Sequence, residues 1–192
     1  MRSGKTLGMT LEGYKEHLRG RKVYSNYGLN FPHEDMDDQM VAEATKHNRT
    51  TMFNGSVTLI DEVHVYMDSR NSASKKNRLF SYFVTQSGKL DTLLIWTSQF
   101  LGQVDKRLRL NTQTLYKAER YIVSKGKKII LRQDDKREDF FVDLHKHTFR
   151  ERRGQLGFVY EKTVTLKNPR KYFGLYDTRQ RVAYTGEMKD DK

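Results

Sequence analysis

The chain has 192 residues, 36% apolar and 31% charged, enough for one domain with a sizeable core. It has no cysteine, which excludes disulfide frameworks and thiolate metal sites. Its net charge of +12 is concentrated in the second half, where residues 97–192 carry 23 Lys/Arg against 13 Asp/Glu. Such a half attracts polyanions by releasing their counterions, so nucleic acid is the expected partner and a solvated basic surface the alternative. The longest apolar runs, such as Leu93-Leu94-Ile95-Trp96, fall well short of the roughly 18–20 residues of a membrane span. No basic-then-apolar leader opens the chain either. A soluble, cytoplasmic protein without a transmembrane segment is the expectation.

In chain order, 5–19 patterns as a helix ending at Gly20, with Leu7, Leu11, Tyr14 and Leu18 at helical spacing. Residues 21–27 predict a short strand, Pro32 closes the loop after it, and 36–49 predict a polar helix. Val57-Thr58-Leu59-Ile60 is an apolar run of the buried-strand type ending on Asp61-Glu62. A helix over 74–87, a second buried strand over 92–97 and a short helix over 103–111 follow. Strands alternating with helices predict a parallel α/β sheet. From about residue 113 the pattern changes. Segments 114–123, 127–133, 139–149 and 156–166 are rich in β-branched and aromatic residues, and predict hairpins that extend the sheet. One domain is expected, with a nucleotide-binding core over 1–112 and a β-rich extension over 113–192.

The chemistry sits at the ends of these elements. Arg2-Ser3-Gly4-Lys5-Thr6 matches the end of the Walker A pattern, G-x-x-x-x-G-K-[ST]. In such a loop, backbone amides and a helix N-terminus cradle phosphate, the lysine reaches the β- and γ-phosphates, and the threonine hydroxyl ligates Mg2+. Ser3, Gly4, Lys5 and Thr6 are therefore the candidate phosphate-binding residues. Val57 to Glu62 matches Walker B: a buried strand delivers Asp61 to the metal, and Glu62 can polarise the attacking water. Two acids capping a helix would look the same, and the order of the two motifs favours the nucleotide reading. Leu93 to Gln99 is another strand ending in polar residues, where Gln99 or Ser98 can sense the γ-phosphate. Asp105-Lys106-Arg107-Leu108-Arg109 offers an arginine finger, Arg107 or Arg109, for a neighbouring subunit's site. A basic surface helix or a DNA contact is the alternative there.

Taken together, these segments resemble the FtsK/HerA superfamily of P-loop ATPases, in particular the zonula occludens toxin (Zot)-like branch and related viral DNA-packaging ATPases. The resemblance rests on Gly4-Lys5-Thr6, Gly20 to Tyr27, Leu59 to His64, Thr97-Ser98-Gln99 and Val104 to Arg109, roughly residues 2–112. Phe173 to Thr178 looks like the end of such domains, less specifically. The resemblance implies a RecA-like core, ATP and Mg2+, and a homo-oligomeric ring on double-stranded DNA in which one subunit's arginine acts on the next. It also implies a role in viral genome packaging or virion assembly, in the host cytoplasm or the virion, with a capsid or membrane protein as a further partner. Two departures qualify it. Zot-like membrane proteins carry a transmembrane helix after the ATPase domain, which this sequence lacks. Met1 also stands where the middle of the Walker A loop is expected, so the first glycine and the strand before it are missing, and weak ATP binding is expected. Two rivals follow: a non-hydrolysing nucleic-acid-binding assembly subunit, and a Zot-like morphogenesis protein acting at a membrane.

Weaker signals remain. His64, two residues past Glu62, reads as packing near the site. In Asp143-Leu144-His145-Lys146-His147, strand alternation puts both histidines on one face, with few acids nearby to complete a metal site. Aromatic residues interleaved with Lys and Arg between 116 and 176 can stack on bases, but they also suit the core of a sheet.

Overall fold

The computed structural model describes residues 4–46, 50–71, 73–132, 139–152 and 155–177. Four parallel strands form the first sheet: β1 (Val23–Ser25), β2 (Glu34–Asp35), β3 (Val57–Ile60) and β4 (Leu93–Trp96), in the order β2-β1-β3-β4. Helices α1 (Lys5–Leu18), α2 (Asp38–Lys46), α3 (Lys75–Ser87) and α4 (Lys106–Asn111) flank it. This is the layered α/β arrangement expected of a RecA-like core. Every residue of β1 and β3 is buried, as parallel strands covered on both faces require.

Side-chain alternation divides the core. Val23, Val57 and Leu59 point to one face of the sheet, into a cluster with Leu7 and Met9 of α1. Tyr24 and Ile60 point to the other face, into a cluster built on Phe53, Phe80, Phe83 and Leu108. Ser74 starts α3 by accepting from the Asn77 backbone amide at 3.2 Å, a serine N-cap.

The β-rich half departs from expectation. Strands β5 (Thr114–Ser124), β6 (Lys127–Ile130), β7 (Phe141–Arg152) and β8 (Gln155–Leu166) do not extend the parallel sheet. They form a separate antiparallel sheet ordered β6-β5-β7-β8. Its Val142 and Leu144 join the α1 cluster, so α1 is covered on two sides. That explains a second difference. The helix does not bury its apolar stripe evenly: Leu18 is 68% exposed, while Gly8, Thr10 and Gly13 are buried. Small residues let both sheets approach the helix. A Cβ on Gly13 would lie 2.4 Å from Leu59 Cδ1, and one on Gly8 3.2 Å from both Leu144 methyls.

Strand β2, which the sequence does not predict, pairs parallel with β1 through Glu34 and Asp35. Both are exposed, so no apolar pattern marks them. The predicted helices are otherwise present with shifted ends. Residues 47–49 and 133, predicted as helix and strand, lie outside the described residues. The chain returns to the parallel sheet at its far end, where Tyr176 bridges Leu29 and its ring meets Tyr27 edge-on at 6.3 Å. No described helix is long and apolar enough to cross a membrane.

Candidate functional site

Strand register assembles the site. Ser25 lies opposite Leu59, and Ile60 opposite Trp96. The residues that follow the strands, Asn26, Asp61 and Thr97, therefore line up at the C-terminal edge of the sheet, where ligands of open α/β sheets bind. Asn26 holds the Asp61 backbone from both sides: its Nδ2 donates to the Asp61 carbonyl at 3.0 Å, and its Oδ1 accepts from the Asp61 amide at 2.8 Å. The Thr97 hydroxyl donates to Asp61 Oδ1 and accepts from the Glu62 amide, the latter at 3.0 Å. Asn26 and Thr97 are positioning residues. Neither was singled out from the sequence for this role, although a polar residue just after an apolar run is a signal all three strands share.

Thr6, in the first turn of α1, donates its hydroxyl to the Asp61 carboxylate at 3.1 and 3.3 Å. Gly4 caps the helix with φ of +92°, a conformation that favours glycine, and packs so closely on β7 that a Cβ would meet Val142 Cγ1 at 2.6 Å. Ser3 lies outside the described residues. Burial pushes the Asp61 carboxyl above the usual carboxylate range; the Thr97 hydrogen bond opposes this, the Glu62 charge adds to it, and Thr6 and Lys5 oppose it further. An oxygen-rich pair of Thr6 and Asp61, with an anion that burial disfavours, suits Mg2+, which would supply the missing positive charge.

The raised Asp61 pKa has a stability consequence. The native carboxyl keeps its proton to higher pH than the unfolded one, which ionises near ~3.9. Its contribution to stability is full below that value and is lost as pH rises through the native pKa. Without divalent ions, Asp61→Asn should therefore raise stability at pH 7.5, with the gain shrinking towards pH 4. Thermal melts across that range check this. No gain at pH 7.5 would mean that the hydrogen bonds to the anion outweigh its burial.

Glu62 adopts φ of +52°, a left-handed conformation uncommon outside glycine. Its Oε1 accepts from Gln99 Nε2 at 3.1 Å. Its Oε2 lies 3.4 Å from His64 Nδ1, and both atoms are buried without a hydrogen-bond partner. The structure thus brings Thr6, Asp61, Glu62 and Gln99 together around one corner of the sheet. Arg107 is placed elsewhere. Its Nε and Nη2 grip the Asp105 carboxylate at 3.0 and 2.8 Å, and Arg107 in turn lowers the Asp105 pKa. Arg109 donates from Nε to the Val104 carbonyl at 3.0 Å.

On the antiparallel sheet, His145 groups with Glu119 and Asp143, their ligand atoms within 4.8 Å of one another. The Lys128 ammonium already pairs with Glu119 at 2.9 Å and Asp143 at 2.8 Å, and these contacts raise its pKa to about 12. His147 does not join this group. Its Nδ1 meets the His145 carbonyl at 3.0 Å and its ring lies edge-on to Tyr160.

No family model matches the chain, and no curated protein matches it. Among solved structures, the chain is similar to the N-terminal domain of zonular occludens toxin from Neisseria meningitidis, with a TM-score of 0.51 and 17% sequence identity. The match covers 91% of this chain and 93% of that one. The likeness extends through the antiparallel sheet as well as the parallel one, and shows that this chain shares the fold of that domain.

Proposed function

We propose that this chain is a Zot-like P-loop ATPase that hydrolyses Mg-ATP and couples it to movement of double-stranded DNA during viral genome packaging or virion assembly. The observation that carries the reading is the direct contact between the Thr6 hydroxyl and the Asp61 carboxylate. Residues 55 apart in sequence meet where a helix N-terminus faces a strand end, the juxtaposition that a phosphate-bound Mg2+ needs. In this reading Lys5 contacts the phosphates, Thr6 ligates the metal and Asp61 holds it through water. Glu62 takes a proton from the attacking water, Gln99 orients Glu62 and senses the γ-phosphate, and Arg107 or Arg109 acts on a neighbour's site in a ring. When bound, Mg2+ would neutralise charge on the phosphates.

The rival readings are a non-hydrolysing assembly subunit and a morphogenesis protein acting at a membrane. The first draws support from the tight packing of Gly4 on Val142, which leaves little room beside the helix N-terminus. Phosphate release with and without Mg2+ and a DNA duplex separates them. Mg2+-dependent release, accelerated by duplex, is the expected result. Nucleotide binding without release would favour the assembly subunit.

A further inference from the structure

A cleft of about 470 Å3 is lined by Ser69, Ala73, Asp105, Lys106, Arg107 and Arg109, a size within the roughly 300–1,000 Å3 of ligand sites. Both walls are tied down. Asp68 bridges Val104, the Asp105 amide donates to the Met67 carbonyl at 2.9 Å, and the Ser69 hydroxyl donates to the Gly102 carbonyl at 3.0 Å.

The charges in the cleft do not cancel. Its one carboxylate, Asp105, is buried and gripped by the Arg107 fork, and it also caps α4 by accepting from the Arg107 amide at 2.8 Å. That closes one charge pair and leaves Lys106 and Arg109. Neither makes an ion pair among the described residues. Arg109 is half-buried and oriented through its Nε bond to the Val104 carbonyl, so little freedom remains to be lost when its outer edge meets an anion. Asp105 is the single counter-charge, already engaged by Arg107 and also felt by Arg109, so the cleft keeps a net positive charge, and an arginine held ready for planar, forked hydrogen bonding is the side chain that recognises phosphate.

We propose that this cleft binds a phosphate group, with Lys106 and Arg109 as its ligands. The group can come from a nucleic-acid backbone or from a free phosphate or nucleotide. No hydrogen bond among the described residues joins Lys106 or Arg109 to Asp61 or Glu62, and with Arg109 engaged in the cleft the neighbour-directed role under the proposed function falls to Arg107.

Amide NMR titrations with inorganic phosphate and, separately, with a 20-base-pair duplex test this. Saturable shifts at Ser69, Ala73 and residues 105–109 are expected. Duplex affinity should fall by roughly tenfold in the Lys106→Ala/Arg109→Ala variant, with the slope of log K against log salt reduced by about two. The charge-keeping Lys106→Arg variant should retain most of the binding, while Arg109→Lys, which loses the fork but keeps the charge, should lose an intermediate amount with an unchanged melting temperature. Lys89→Ala/Lys117→Ala removes two exposed cations elsewhere and should cost less than about twofold. Shifts with duplex alone assign the site to a nucleic-acid backbone, and shifts with phosphate alone to a free phosphate or nucleotide. No shift with either probe, or equal losses in both alanine variants, overturns the proposal.

Discussion

Glu62→Gln should lower Mg-ATP turnover by roughly 100- to 10,000-fold, the usual worth of a positioned general base, while nucleotide affinity stays within about threefold. Glutamine has nearly the shape of glutamate and can still accept from Gln99, so the left-handed turn and the Thr97 contact to the Glu62 amide can persist. What it loses is the capacity to take a proton. Losing kcat while retaining binding is the signature of an interaction made only in the transition state. Gln99→Ala should have a smaller effect, because it frees the carboxylate without removing it. Calorimetric nucleotide binding beside steady-state phosphate release gives both quantities. Parental turnover in the glutamine variant would deprive Glu62 of its assigned role.

Phe53→Ala should destabilise the protein by about 3–5 kcal/mol, the range for deleting a fully buried aromatic side chain. Phe53 is 0% exposed. Its ring centre lies 4.7 Å from that of Tyr24 and 4.9 Å from that of Phe83. Its backbone carbonyl also accepts from the Thr92 hydroxyl at 2.7 Å and the Ser56 amide at 3.0 Å, so the surroundings are anchored and cannot easily collapse into the cavity. The aromatic series continues through Phe80 to Tyr66, whose hydroxyl accepts from Asn26 Nδ2 at 3.3 Å. A cavity at Phe53 can thereby loosen the residue that holds Asp61. Urea unfolding gives the stability change, and the melting temperature should fall by on the order of 10 °C for a chain of this length. Phe53→Leu, which leaves a smaller cavity, should cost less. A loss under about 1 kcal/mol for the alanine variant would mean that the cluster repacks.

Local pattern made much of this protein legible. The apolar run over 57–60 ending on two acids marked a buried strand that delivers Asp61 and Glu62, and helical spacing marked α1 with Thr6 in its first turn. Those features depend on periodicity and on residue types at element ends, which the chain carries in short windows. The separate antiparallel sheet was not legible, because strands of either sheet share the same β-branched and aromatic composition. Only long-range pairing decides which strands they join, and here α1 came between the sheets through its buried glycines. Phe53, in a short turn without periodicity, gave no sign of being central to a core. The roles of Asn26 and Thr97 came from parallel register, which sets residues from three strands side by side. Arg107 shows the same limit from the other direction. Its sequence position suits a finger acting on a neighbouring subunit, and the structure adds that Asp105, two residues earlier, holds its guanidinium in a forked ion pair. A charge's neighbours in space, rather than its place in the chain, decide what it is free to bind.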